Sequence, residues 1–136
     1  MTQEDKELLL KDLSARLPYG VICKSESYKN ILFNSSDIPL IESEEIKPYL
    51  RPISSMTEDE MDKLFDILHI DKDGKDEDWI KINDVYGIKF FFPTGKWIEN
   101  VAEAYDYLYS IHIDFRGLNH KGLAIEVTPE NNPYEK

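Results

Sequence analysis

The chain has 136 residues, 41% hydrophobic and 32% charged, which is one domain's worth of globular sequence and not a disordered chain. Its 27 acids against 16 bases give a net charge of −11, which speaks against a nucleic-acid binder and disfavours docking on an anionic membrane. No apolar run approaches the roughly 20 residues of a membrane helix, and the acidic, amphipathic start MTQEDKELLLKDL is expected not to be a signal peptide, so the expected setting is cytoplasmic.

Residues 3–17 predict a helix, with Leu9, Leu10, Leu13 and Leu17 at helical spacing and Glu4, Asp5, Lys6, Lys11 and Asp12 largely on the other face. Pro18 ends it, and Tyr19-Gly20 completes the turn. The pieces VICK, YKNILF and IPLI then read as short strands of a β-meander, with 34-NSSD-37 as a turn. Cys23, the only cysteine, lies in the first of them and is expected to be a small buried hydrophobe. It excludes an internal disulfide and a cysteine-based zinc cage.

In 48-PYLRP-52 the two prolines hold an extended segment and present Tyr49 and Arg51 at defined positions. Thr57 and Glu60 have capping-box spacing, Met56 and Met61 that of a hydrophobic staple, and Glu58, Asp59, Glu60 and Asp62 suit the positive end of a helix dipole. A second helix is therefore predicted over 58–69, with Met61, Leu64, Phe65 and Leu68 on its apolar face. A polar loop, 71-DKDGKDED-78, precedes two strands within 79–92, bent near Asn83-Asp84 or Tyr86-Gly87 and stopped by Pro93-Thr94-Gly95. A third helix covers 97–112, with Ile98, Val101, Ala102, Tyr105, Leu108 and His112 sharing a face. The turn 114-DFRG-117 should have Asp114 accepting backbone N–H bonds and Gly117 at positive φ, before a strand in 123-LAIEV-127 and a fraying tail over 129–136. The expected fold is α+β, a single compact domain over 1–128 with about three helices packed on a small, mainly antiparallel sheet.

Motifs for chemistry begin and then fail. Asp71 and Asp73 start like a calcium loop, but Lys75, Asp76 and Ile82 stand where an acidic ligand, glycine and glutamate are required. His69, His112 and His120 form no HxxxH or HExxH pair, and a helix-end role for His112 is preferred to a metal site with Asp114 and His120. TGK at 94–96 lacks the upstream glycine of a phosphate loop, and Ser54 and Ser55 lack a GxSxG elbow. No cofactor and no metal are expected. Two candidate sites remain. Arg51, Ser54, Ser55, Asp114 and Arg116 could hold an anionic ligand if folding gathers them, and Tyr49, Tyr107 and Tyr109 could serve a protein-binding patch.

PYLRPISSMTEDE, the segment IHIDFRGLNHKGLAIEV and the opening KELLLKDLSARLPYGV together resemble a family of small proteins from gut Bacteroides and their phages. That family carries similar PYLRP-SSMT-E and D-[FY]-RGL…GLA[IL]E segments, and the resemblance spans most of the chain. It implies a compact domain in a phage or mobile-element setting, inside the host cell, and no particular activity. The leading functional expectation is a non-enzymatic protein working by contact with another protein, with no direct nucleic-acid or membrane partner. The alternative is a small-ligand binder or enzyme using the arginine–serine–aspartate group, so the question of catalysis stays open. A third class is a virion or assembly component that self-associates.

Overall fold

The computed structural model describes residues 2–25, 30–43, 46–68, 80–83, 87–90 and 101–134. His69, the 71–78 loop, the 84–86 bend, 93–95 and Trp97 lie outside them. The elements are α1 (Gln3–Arg16), β1 (Ile22–Ser25), β2 (Asn30–Leu32), the short α2 (Pro39–Glu42), β3 (Ile46–Leu50), α3 (Glu58–Leu68), β4 (Ile80–Asn83), β5 (Gly87–Phe90), α4 (Val101–Ser110) and β6 (Ile125–Glu126). The fold class is α+β, as expected. The chain falls into two compact units, Met1–Arg51 with Leu118–Lys136, and Pro52–Gly117.

The first unit is a four-stranded sheet in the order β2-β1-β3-β6, antiparallel except where β6 runs parallel to β3. A meander would have put β2 in the middle. Instead IPLI, expected as a strand, turns into α2, and β3 returns on the far side of β1. Pro39 explains the difference, because its fixed φ suits the first helical position and it has no N–H for a ladder. The turn before it is closed reciprocally, with Ser36 N–H donating to Asn34 Oδ1 at 2.9 Å and Asn34 N–H to Asp37 Oδ2 at 3.0 Å.

One sheet face carries Val21, Cys23, Ile46 and Leu50, which form a single buried cluster with Leu9 and Leu13 of α1. Burying each of these two leucines contributes roughly 1.5–3 kcal/mol. Helix α1 opens on a capping box, Asp5 N–H to Thr2 Oγ1 and Thr2 N–H to Asp5 Oδ2, both at 3.1 Å. Leu10, expected in the apolar stripe, is 39% exposed, and Asp12, expected on the polar face, is fully buried.

The second unit contains α3 packed on α4 and the hairpin β4–β5. The predicted Thr57 box is present: Glu60 N–H reaches Thr57 Oγ1 at 3.1 Å, and Thr57 N–H reaches Glu60 Oε1 at 2.9 Å. Among the described side chains of α4, Ala104, Leu108 and Tyr109 are buried, while Ala102, expected on that face, is exposed. The helix ends in a Schellman closure, with Ile113 N–H to Leu108 O and His112 N–H to Tyr109 O, both at 3.0 Å. His112 occupies the left-handed position at φ 62°, where glycine is usual. Residues 118–123 repeat the closure in the first unit, through Leu123 N–H to Leu118 O and Gly122 N–H to Asn119 O, with Gly122 at φ 75°.

Candidate functional site

Alternation along the ladder fixes where the sheet is open. Phe33 N–H donates to Val21 O at 3.0 Å, so Val21 and Phe33 are a hydrogen-bonded pair, as are Cys23 and Ile31 two residues on. Between them, Ile22↔Leu32 and Lys24↔Asn30 are non-hydrogen-bonded pairs. The backbone N–H and C=O groups of Asn30 and Leu32 therefore point away from β1. Because β2 is the sheet's edge among the described residues, they face outward. Leu32 is 63% exposed at the same place.

The same counting places β3. Lys24↔Lys47 is a hydrogen-bonded pair and Cys23↔Pro48 is not, so Pro48 sits where β1 asks for no N–H. On its other side, β6 pairs only with Tyr49 and Leu50. The next rung toward β1 would join Ile22 to Tyr49, and the pairing stops one residue short of it. Tyr134 supplies it. Ile22 N–H donates to the Tyr134 hydroxyl at 3.0 Å, and that hydroxyl donates to Tyr49 O at 2.7 Å. The segment expected to fray thus carries a side chain that bridges two strands. Burial pushes the phenol's pKa well above its ordinary value, and the Ile22 N–H bond partly opposes this.

Beneath the sheet, Asp12 and Arg16 form a fork-to-fork pair, Nε to Oδ2 at 2.7 Å and Nη2 to Oδ1 at 3.2 Å, with both side chains 0% exposed. Positions 9, 12, 13 and 16 are the i, i+3, i+4, i+7 stripe of α1, and two of the four carry this pair. That spacing, together with the i, i+4 Asp–Arg separation, was the signal available in the sequence. Cys23 is fully buried, and its thiol is held strongly protonated, first by burial and then by Asp37 and Asp12, against Arg16. A neutral, inaccessible thiol is a poor nucleophile.

In the second unit the polar candidates are built into packing. Arg116 donates Nη2–H to Tyr109 Oη at 2.7 Å, and its guanidinium lies 4.7 Å from the centre of the Phe115 ring and 5.5 Å from that of Tyr109. Tyr105 and Tyr109 each stand 5.1 Å from Phe115, centroid to centroid. Burial raises the Tyr105 pKa, with Arg116 opposing. Asp114 is buried, and Gly117 has the expected positive φ of 73°. Ser54 and Ser55 are exposed in a 3-10 turn, where Ser55 Oγ–H donates to Pro52 O at 2.7 Å. Arg51 belongs to the first unit, and Ser54, Ser55, Asp114 and Arg116 to the second.

Of the tyrosines put forward for a binding patch, Tyr49 and Tyr109 are 8% and 7% exposed, which leaves little ring for a partner. Tyr107 is half-buried, with Lys63 Nζ 5.2 Å from its ring centre. Leu32 was not singled out from sequence, because an apolar residue in a short strand reads as core until the sheet order shows an edge. Among the described residues, no group of three His, Cys, Asp or Glu side chains could hold a metal ion, and no helix is long and apolar enough to cross a membrane. No protein-family model, no curated protein and no solved structure matches this chain.

Proposed function

We propose that this is a non-enzymatic binding protein that works by contact with another protein, in the cytoplasm of a host cell, and that it derives from a phage or mobile element. The observation that carries the binding reading is Leu32, 63% exposed on an edge strand whose free backbone groups face outward. Natural edge strands are usually blunted by charge, proline or a bulge. An exposed leucine there favours a surface kept for a partner, through backbone pairing and an apolar anchor. Support for the origin is the resemblance of the PYLRPISSMTEDE and DFRGLNHKGLAIEV segments. The anionic-ligand alternative is the weaker reading, since the Arg116 guanidinium is engaged by two rings and the Ser55 hydroxyl by a carbonyl.

A tagged pull-down from host lysate tests this, with wild type beside Leu32→Asp, Tyr107→Ala and Arg51→Ala at low and raised salt. Loss of a salt-resistant partner in Leu32→Asp alone is the expected result. Retention in Leu32→Asp with loss in Tyr107→Ala would move the surface to α3 and α4. Loss of an anionic small molecule in Arg51→Ala, with no protein retained by wild type, would overturn the reading.

A further inference from the structure

The open face of the first unit's sheet has a charge pattern at odds with the chain as a whole. Lys24 and Lys47 are directly opposite each other on β1 and β3, and both are exposed. Like charges in that position oppose pairing of the strands. Lys24 is in turn directly opposite Asn30 on β2, and Ile22 is opposite Leu32. Side chains of directly paired residues share a face, so Lys47, Lys24 and Asn30 form a row across three strands, with Leu32 one step along the edge. In a chain of net charge −11, this edge therefore presents an exposed leucine and outward backbone groups at Asn30 and Leu32, with Lys24 one strand in and Lys47 two strands in on the same face.

We infer that β2 receives an extended, acidic segment of a partner protein, which pairs with Asn30 and Leu32 as a fifth strand and turns a carboxylate toward Lys24. This rests on the reading that the β2 edge is the binding surface and names the chemistry of its partner. The geometry is permissive. A strand added at β2 runs about 5 Å from it and about 10 Å from β1, within the combined reach of a glutamate and Lys24. Alternate residues of that strand share the lysine-bearing face, so an acidic–apolar alternation puts carboxylates toward Lys24 and apolar side chains beside Ile31 on the core side. A carboxylate here would relieve the repulsion between the two lysines. The overall negative charge does not prevent this, because charges beyond about 8 Å are largely screened at physiological salt. A second copy of this chain fits less well. Antiparallel pairing of two β2 strands about Ile31 would set Leu32 against Asn30 and bring together two molecules of charge −11.

The test uses the full chain labelled for amide NMR and two blocked six-residue peptides, Glu-Val-Glu-Val-Glu-Val and Lys-Val-Lys-Val-Lys-Val. The acidic peptide is expected to shift and protect the Asn30 and Leu32 amides, with the Phe33 amide, already bonded to Val21, protected throughout. Lys24→Glu with Lys47→Glu should weaken binding up to about fivefold, the effect of losing the one surface charge pair within reach, at Lys24, and Leu32→Asp should weaken it in either charge background. Equal binding of both peptides, shifts confined to other elements, or dimerisation abolished by Leu32→Asp would each overturn the inference. If the lysate partner is lost in Leu32→Asp but kept in the double lysine variant, the docking edge stands and the acidic chemistry fails. If it is kept in both, the edge itself is not the surface.

Discussion

Tyr134→Phe removes one oxygen and should be felt across the sheet of the first unit. In the native chain that hydroxyl accepts from Ile22 N–H and donates to Tyr49 O, replacing a rung that the strands do not form directly. Phenylalanine keeps the ring and its packing but leaves a donor and an acceptor without a partner. A net contribution of about 1 kcal/mol per hydrogen bond gives roughly 2 kcal/mol for the pair, and up to about 3 where the stranded groups stay dry. With a urea m value of about 1.5 kcal/mol/M, that lowers the unfolding midpoint by about 1.3 M. Circular dichroism through a urea titration measures the midpoint, and hydrogen exchange locates the effect. Ile22 should lose amide protection while Phe33, bonded to Val21, keeps its own. A midpoint within about 0.3 M of wild type and an unchanged Ile22 amide would refute the bridging role of Tyr134.

Asp12→Ala should cost about 3–5 kcal/mol, because it takes the carboxylate from a guanidinium with no exposure, and Asp12→Leu with Arg16→Met should recover a substantial part of it; a loss below about 1 kcal/mol in the single variant would contradict a buried pair. Gly122→Ala should cost about 1–2 kcal/mol, purely from the left-handed backbone at φ 75°, since a Cβ there meets nothing within 4 Å; Gly122→Asn should cost less, and thermal melts of the two variants compare them. Cys23 and Tyr134 both have folded-state pKa values raised by burial, so each contributes stability that is present below its unfolded pKa and lost as pH rises above it. Stability should therefore begin to fall above about pH 8.5 and fall more steeply above about pH 10; Cys23→Ala should flatten the first part of the decline and Tyr134→Phe the second, read from melts between about pH 7 and 11.

Features legible in the sequence are those that act over a few residues. Thr57 and Glu60 are three apart, and both of their hydrogen bonds are within reach as soon as one turn of helix forms. Gly117 and its turn are legible for the same reason, since a left-handed backbone there asks for glycine whatever surrounds it. Ambiguity entered where a short apolar run fits either period. IPLI suits a strand by composition and a helix by the placement of Pro39, and the helix prevailed. Asp12 was placed on the polar face because it is charged, although its spacing sets it, with Arg16, on the leucine stripe. The five residues proposed for an anionic ligand come from two units, and the side chains of Ser55 and Arg116 are engaged locally.

Composition, spacing and turn chemistry by themselves determined the class of the fold, most helix and strand positions, the start of α3 and the burial of Cys23. Those outcomes depend on backbone geometry and on contacts within about one helical turn, which the order of residues specifies directly. Only the tertiary structure decided that β1 rather than β2 is central, that Tyr134 closes a rung with a residue 112 positions away, and that Leu32 and Lys24 lie beside an open edge. Such choices rest on strand partners far apart in the chain, where one rung is worth about as much as another. The balance is struck by the burial of the whole sheet against α1 and not by any local pattern.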